Sequence, residues 1–195
     1  MSSGCTEQHN ISPEETIQAI LEKAAILQSL YYELHRSTLV NTSVEQTTVM
    51  NIWEQAPYLK EEINDTASGI TTTTIIIKRP EGTYRYDTLS NTYKQDTQII
   101  LPQQTISEMI NDLRNNQTLT IIGTENISGK TTTILQYTPI LSGNSTTMTL
   151  WIWNETGVPL KAVSTTESEE TTVSMEYTYS NYSFETIPED IFQIE

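Results

Sequence analysis

Two histidines, His9 and His35, one cysteine, Cys5, and a scatter of carboxylates are the residues of this 195-residue chain whose types could do chemistry. A zinc site needs three or four His, Cys or carboxylate ligands held together. His9 stands in the polar N-terminal stretch, and His35 has no His, Cys or acidic cluster at ligand spacing. A Cys5–His nucleophile pair would need that stretch to fold into a cleft. There is no Gly-x-Ser-x-Gly elbow, and Gly129-Lys130-Thr131 lacks the earlier glycine of a phosphate-binding loop. Asp65, Asp87, Asp96, Asp112 and Asp190 qualify as acids by type alone. Glu167-Ser168-Glu169-Glu170 reads as a solvated loop without the spacing of a calcium-binding one. The expectation is a non-enzymatic protein with no cofactor, metal or catalytic residue.

Cys5 is the single thiol, so no intramolecular disulfide forms. It admits three readings: an adventitious residue, a reactive thiol, or a lipid acceptor. The last has a physical basis, because a thiol heading a flexible polar stretch can be acylated while the domain stays clear of the membrane. Ser3-Gly4-Cys5 matches the end of a lipoprotein signal box, although the apolar segment that precedes such a box is not in the sequence. No run approaches the roughly 18 apolar residues of a spanning helix, so membrane attachment is expected only through Cys5.

The net charge of −15, from 25 acidic and 10 basic residues, opposes binding to nucleic acid or broad adhesion to an anionic membrane. Asn-x-Ser/Thr triplets begin at Asn10, Asn41, Asn64, Asn116, Asn126, Asn144, Asn154 and Asn181. Each is a glycosylation acceptor in an exterior pathway, though abundant Thr also produces such triplets by chance. Asn144 and Asn154, beside predicted turns, are the acceptors expected to be most exposed. With Cys5, they point to an extracytoplasmic, cell-surface and lipid-anchored location.

The elements that must position these residues are mostly strands. Hydrophobic residues make up 36% of the chain, and 33 threonines account for much of the shortfall. Thr is β-branched, so it favours strands while tolerating water. Residues 1–11 read as a flexible tether and 12–195 as a single β-rich domain. Ser12 as N-cap, Pro13 and Glu15 open a helix over about 13–29, with Ile17, Ile20, Leu21, Ala24 and Leu27 as its apolar stripe. A second helix over about 103–113 carries Ile106, Met109, Ile110 and Leu113. Thr105 and Glu108 form a capping box if it starts later.

Strand patterns fill the rest: Leu30–Leu34, Val44–Trp53, Tyr58–Ile63, Ile70–Lys78, Thr83–Tyr86, Leu119–Gly123, Thr131–Tyr137, Thr146–Trp153, Leu160–Thr166 and Thr171–Phe184. Tight turns argue for antiparallel pairing. Two helices are too few to cover a broad flat sheet. The expected fold is therefore mainly β with two helices: a strongly curved antiparallel sheet or incomplete β-barrel capped by helices. Trp53, Tyr84, Tyr86, Trp151, Trp153, Tyr177 and Tyr179 fall in strands and are the candidate lining of an apolar cavity.

Leu150-Trp151-Ile152-Trp153-Asn154-Glu155-Thr156-Gly157-Val158-Pro159-Leu160-Lys161, together with the ending Tyr182-Ser183-Phe184-Glu185-Thr186-Ile187-Pro188-Glu189-Asp190-Ile191-Phe192, resembles the LolA/LolB/RseB-like superfamily of lipoprotein carriers and periplasmic sensors. The likeness covers about residues 13–194, and Ile75–Tyr86 is compatible with that family's central hairpin. It implies a LolA-like domain with an apolar cavity that takes a lipid or a lipoprotein acyl chain. It also implies an arginine beside the cavity, for which Arg36, Arg79 and Arg85 are all open. A lipid-anchor cysteine and many sequons depart from the freely shuttling carriers, and would suit an archaeal surface lipoprotein member. The expected function is non-enzymatic binding of an apolar or lipid-like ligand. The alternative is a cell-envelope structural or protein-interaction module with a filled interior and an envelope protein as partner.

Overall fold

The computed structural model describes residues 13–97, 104–115, 119–138, 145–168 and 170–194. Cys5, Ser12 and Asn144 lie outside them, as does the side chain of Glu15, so neither the tether nor the first capping box is described. Helix α1 spans Pro13–Ala25 and helix α2 Ile106–Asn115. The strands are β1 (Leu30–Val40), β2 (Ser43–Gln55), β3 (Tyr58–Ala67), β4 (Ile70–Arg79), β5 (Gly82–Asp87), β6 (Thr92–Gln95), β7 (Thr120–Ile127), β8 (Lys130–Tyr137), β9 (Ser145–Trp153), β10 (Pro159–Glu167) and β11 (Thr172–Ser183). A short 3₁₀ turn, Glu189–Phe192, follows.

All eleven strands form one antiparallel sheet in the order β6-β5-β4-β3-β2-β1-β11-β10-β9-β8-β7. The chain steps outward from β1 to β6, then resumes at the opposite edge with β7 and steps back until β11 lies beside β1. Only the connection between β6 and β7 must cross the sheet, and α2 lies in it. β6, with four residues and no apolar alternation, has no counterpart among the strands expected from the sequence.

The mainly β architecture with two helices is the one expected, but the strongly curved sheet or incomplete barrel does not form. β6 and β7 remain two separate edges, and the sheet is neither closed nor strongly curled. Curling was expected in order to hide one face beneath too few helices. The chain meets that demand differently. α1 and α2 bury Ile17, Ile20, Leu21, Ala24, Ile106, Met109, Ile110 and Leu113 against one face. On the other face the C-terminal segment brings Ile187 and Phe192 onto Ile77, flanked by Trp53, Tyr58 and Tyr93. What stays uncovered is largely threonine, such as the exposed Thr71–Thr73 of β4, which needs no cover.

α2 starts late enough to use its capping box. Glu108 N donates to Thr105 Oγ1 (3.1 Å), and Thr105 N donates to Glu108 Oε2 (3.1 Å). α1 ends at Ala25, four residues earlier than its periodicity predicts. Ser29 is drawn instead into bonds with Gln55 Oε1 (3.1 Å) and the Glu185 carbonyl (2.9 Å). The two helices are joined by the Arg114–Glu22 ion pair (2.6 Å) and a bond from Gln18 Nε2 to the Arg114 carbonyl (3.3 Å).

α1 also rests on the β9–β10 turn. Lys23 Nζ donates to the Asn154 carbonyl (2.5 Å), and Gly157 approaches so closely that a Cβ there would stand 2.3 Å from the Ile20 carbonyl oxygen. Gly157 also has φ +77°, which L-residues resist. Gly157→Ala is therefore expected to lower stability by about 2–4 kcal/mol in urea unfolding. Gly69→Ala, at φ +77° with nothing within 4 Å, should cost only about 1 kcal/mol.

Candidate binding surface

Antiparallel register sorts the helix-facing side of the sheet into rows. In one row Tyr179, Leu34, Met50 and Ile63 lie side by side, and all are buried. The next row toward the β1–β2 turn holds Leu135, Leu150, Ala162, Tyr177, Arg36, Thr48 and Asp65. Here burial gives way at Tyr177 and Arg36, which are half-buried. One row further, Tyr137, Met148, Ser164, Met175, Thr38 and Gln46 are half-buried or exposed. The core thus continues past its cover as a rim of Tyr137, Met148, Met175 and Tyr177. The Tyr177 hydroxyl bonds Met175 Sδ (3.2 Å), and burial raises the pKa values of both rim tyrosines.

Arg36 borders this rim. Its Nη2 donates to Thr48 Oγ1 (2.9 Å) and lies 3.8 Å from Asp65, while its buried Nε has no hydrogen-bond partner. Its charge opposes the upward shift of Tyr177. Of the other candidate arginines, Arg79 is paired with Glu81 (2.8 Å) and Arg85 with Asp96 (3.1 Å).

The seven aromatics singled out in the sequence do not share one lining. Tyr177 and Tyr179 lie on the helix side. Trp53 and Tyr84 fall in one row on the opposite face, with Lys60 and Ile77 between them. Trp53 meets Tyr31 at 5.1 Å and Lys60 at 5.1 Å. Tyr86 shares the Tyr84 face and meets Tyr93 edge-on at 5.2 Å. Trp151 faces away from the buried Leu150 and Ile152, donates Nε1–H to Glu125 Oε2 (2.6 Å) and lies under Lys161. Trp153 packs at the margin of the main core beneath Lys130 (4.2 Å). Asn154 is half-buried in its turn, where Oδ1 accepts from Thr133 Oγ1 (2.8 Å).

Two buried carboxyl groups beneath the cover carry no signal in the sequence, and one of them, Glu54, fixes it. Glu54, buried on β2, accepts hydrogen bonds from the Tyr32 hydroxyl (2.8 Å), Ile106 N (2.9 Å), Ser107 N (3.2 Å) and Ser107 Oγ (2.6 Å). A carboxylate there satisfies otherwise orphaned amides and complements the positive end of the helix dipole. Glu61 on β3 is 1% exposed, and both its oxygens lack hydrogen-bond partners. Burial, then Glu54 and Glu108, push its pKa up to about 7. An open, partly polar cleft of about 500 Å³ lies beside this anchor, lined by Ser29, Glu54, Gln55, Ser107 and Thr186 among others. None of the seven aromatics lines it. Among the described residues no group of three or more His, Cys, Asp or Glu could hold a metal, and no helix is long and apolar enough to cross a membrane.

Glu54→Ala should cost about 3 kcal/mol or more in urea unfolding, because it strands buried donors on α2 and Tyr32. Glu61 acts in the opposite sense. Its folded pKa lies above the unfolded 4.5, so its contribution is fully present below about pH 4.5 and is lost as pH rises through 7. Glu61→Gln is expected to flatten that loss and raise stability at pH 8 by roughly 2–3 kcal/mol, read from unfolding curves across pH.

Residues 85–195, more than half of the chain, match a family described as "Predicted periplasmic protein (DUF2092)". No curated protein matches the sequence. Among solved structures, Mycobacterium tuberculosis lipoprotein LppX superposes with TM-score 0.54 at 16% identity, over 90% of this chain and 96% of LppX. LprF from Mycobacterium bovis gives 0.53 at 16% identity, over 88% and 94%. A chain of the Pseudomonas aeruginosa MucA/MucB complex gives 0.53 at 16% identity, over 92% of this chain and 61% of that one. These likenesses establish a shared fold. The family description supports an extracytoplasmic location. This chain belongs to the DUF2092 family of predicted periplasmic proteins.

Proposed function

We propose that this protein is a non-enzymatic, extracytoplasmic binding protein that takes an apolar or lipid-like chain along the helix-side rim. The observation that carries the reading is the stepwise loss of cover across the sheet, from the buried Tyr179–Leu34–Met50 row to the half-open Tyr137, Met148, Met175 and Tyr177. A ligand laid there would extend the core, gaining about 0.8 kcal/mol per buried methylene. Arg36 borders the patch opposite Tyr177, and its charge suits an anionic head group on the same ligand. The ligand would occupy an open rim, not a cavity lined by all seven aromatics. Cys5 would tether residues 12–195, as one domain, to the membrane.

A protein-interaction module is the second reading. It is favoured by the contiguous buried core beneath the helices and by the Trp53–Lys60 and Trp151–Lys161 pairs on the opposite face. Native mass spectrometry on protein gently isolated from its source separates the two. The rim reading expects a lipid-sized, non-covalent adduct that leaves on unfolding and is lost in Met175→Glu, whose side chain is already 36% exposed, with the circular dichroism unchanged. A wild-type protein without an adduct, or an adduct that survives in Met175→Glu, contradicts it.

A further inference from the structure

Eight of the twelve asparagines begin an Asn-x-Ser/Thr triplet. With 17 Ser and 33 Thr in 195 residues, composition alone would give about three acceptors among twelve asparagines. The excess is therefore not explained by threonine abundance.

Five of the eight acceptors are described, and none is buried. Three are exposed and stand where the chain turns or bulges. Asn41, at φ 48°, forms the β1–β2 turn; Asn126 precedes the β7–β8 turn; Asn181, at φ 52°, lies in the β11 bulge opposite β1. Asn41 Oδ1 accepts from Thr172 N (3.0 Å) and Asn126 Oδ1 from Gly129 N (2.9 Å). Both bonds use the amide oxygen and leave Nδ2, the atom that glycosylation modifies, outside them. Asn64 and Asn154 are half-buried, each with Oδ1 held by a threonine hydroxyl. Asn51, which begins no acceptor triplet, is also half-buried, with Oδ1 bonded by the Tyr31 hydroxyl (3.3 Å).

We infer that Asn41, Asn126 and Asn181 are N-glycosylation sites, each carrying an oligosaccharide on Nδ2. The donor class is a lipid-linked oligosaccharyl phosphate or diphosphate, used by a separate transferase. The bond from the anomeric carbon to the phosphate oxygen breaks, and the lipid phosphate leaves with the electron pair. Nδ2 bonds to the anomeric carbon and releases one proton. The inference rests on the extracytoplasmic location and not on the identity of any bound ligand.

The test is peptide mass spectrometry on protein purified from its native envelope, alongside Ser43→Ala, Ser128→Ala and Ser183→Ala variants expressed in the same cells. Each variant removes the hydroxyl two residues after one acceptor. The expected result is a sugar mass on each of the three asparagines, lost site by site in the matching variant, with Asn51 bare in the same protein. Unmodified Asn41, Asn126 and Asn181 would overturn the inference. So would modification confined to the remaining triplets, or a sugar mass that persists after the hydroxyl is removed.

Discussion

The carboxylate of Glu54 holds this architecture together. The chain must cross the face of its own sheet once, between edge strands β6 and β7, and α2 lies in that crossing. A helix laid over a sheet brings unsatisfied amides at its first turn. Glu54 meets two of them from the sheet, and Thr105 and Glu108 supply the local cap. The same carboxylate bonds Tyr32, whose ring lies 6.1 Å from Tyr179 and 5.9 Å from Tyr182. One buried group thus ties β2, the aromatic centre of the core and the crossing helix to one geometry.

From that anchor follows the division of the helix side into covered and open rows. The α1 and α2 stripes bury the rows near Leu34 and Met50, and cover fails toward Met175. Glu61 sits inside this arrangement as a counterweight: an unpartnered carboxyl facing Glu54 and Glu108, tolerated most easily when protonated. The opposite face is managed by other means, with the C-terminal segment over Ile77 and threonine elsewhere.

Much of this was legible in the sequence because it depends on neighbours a few residues away. The alternation of Thr48, Met50 and Ile52, the Ile106–Leu113 stripe and the Thr105–Glu108 box are local patterns, and each forms. What was not legible depends on distant partners. Glu54 reads as one more strand carboxylate until Ser107, more than fifty residues later, folds over it. Period two places Trp151 and Trp153 on the same side of their strand but does not say which side is the core. Leu150 and Ile152 took the buried side instead. Whether the sheet curls is a property of the whole assembly, decided here by a C-terminal segment that covers part of the second face.

The rim where α2 ceases to cover the sheet is the proposed seat of an apolar chain. The most direct measurement is a nuclear magnetic resonance titration with decanoate below its micelle concentration, following side-chain signals. Binding at the rim should give saturable shifts concentrated at Tyr137, Met148, Met175 and Tyr177, with Arg36 responding to the carboxylate. Shifts confined to Trp53 and Trp151 on the opposite face, or no saturable shifts at all, would contradict it.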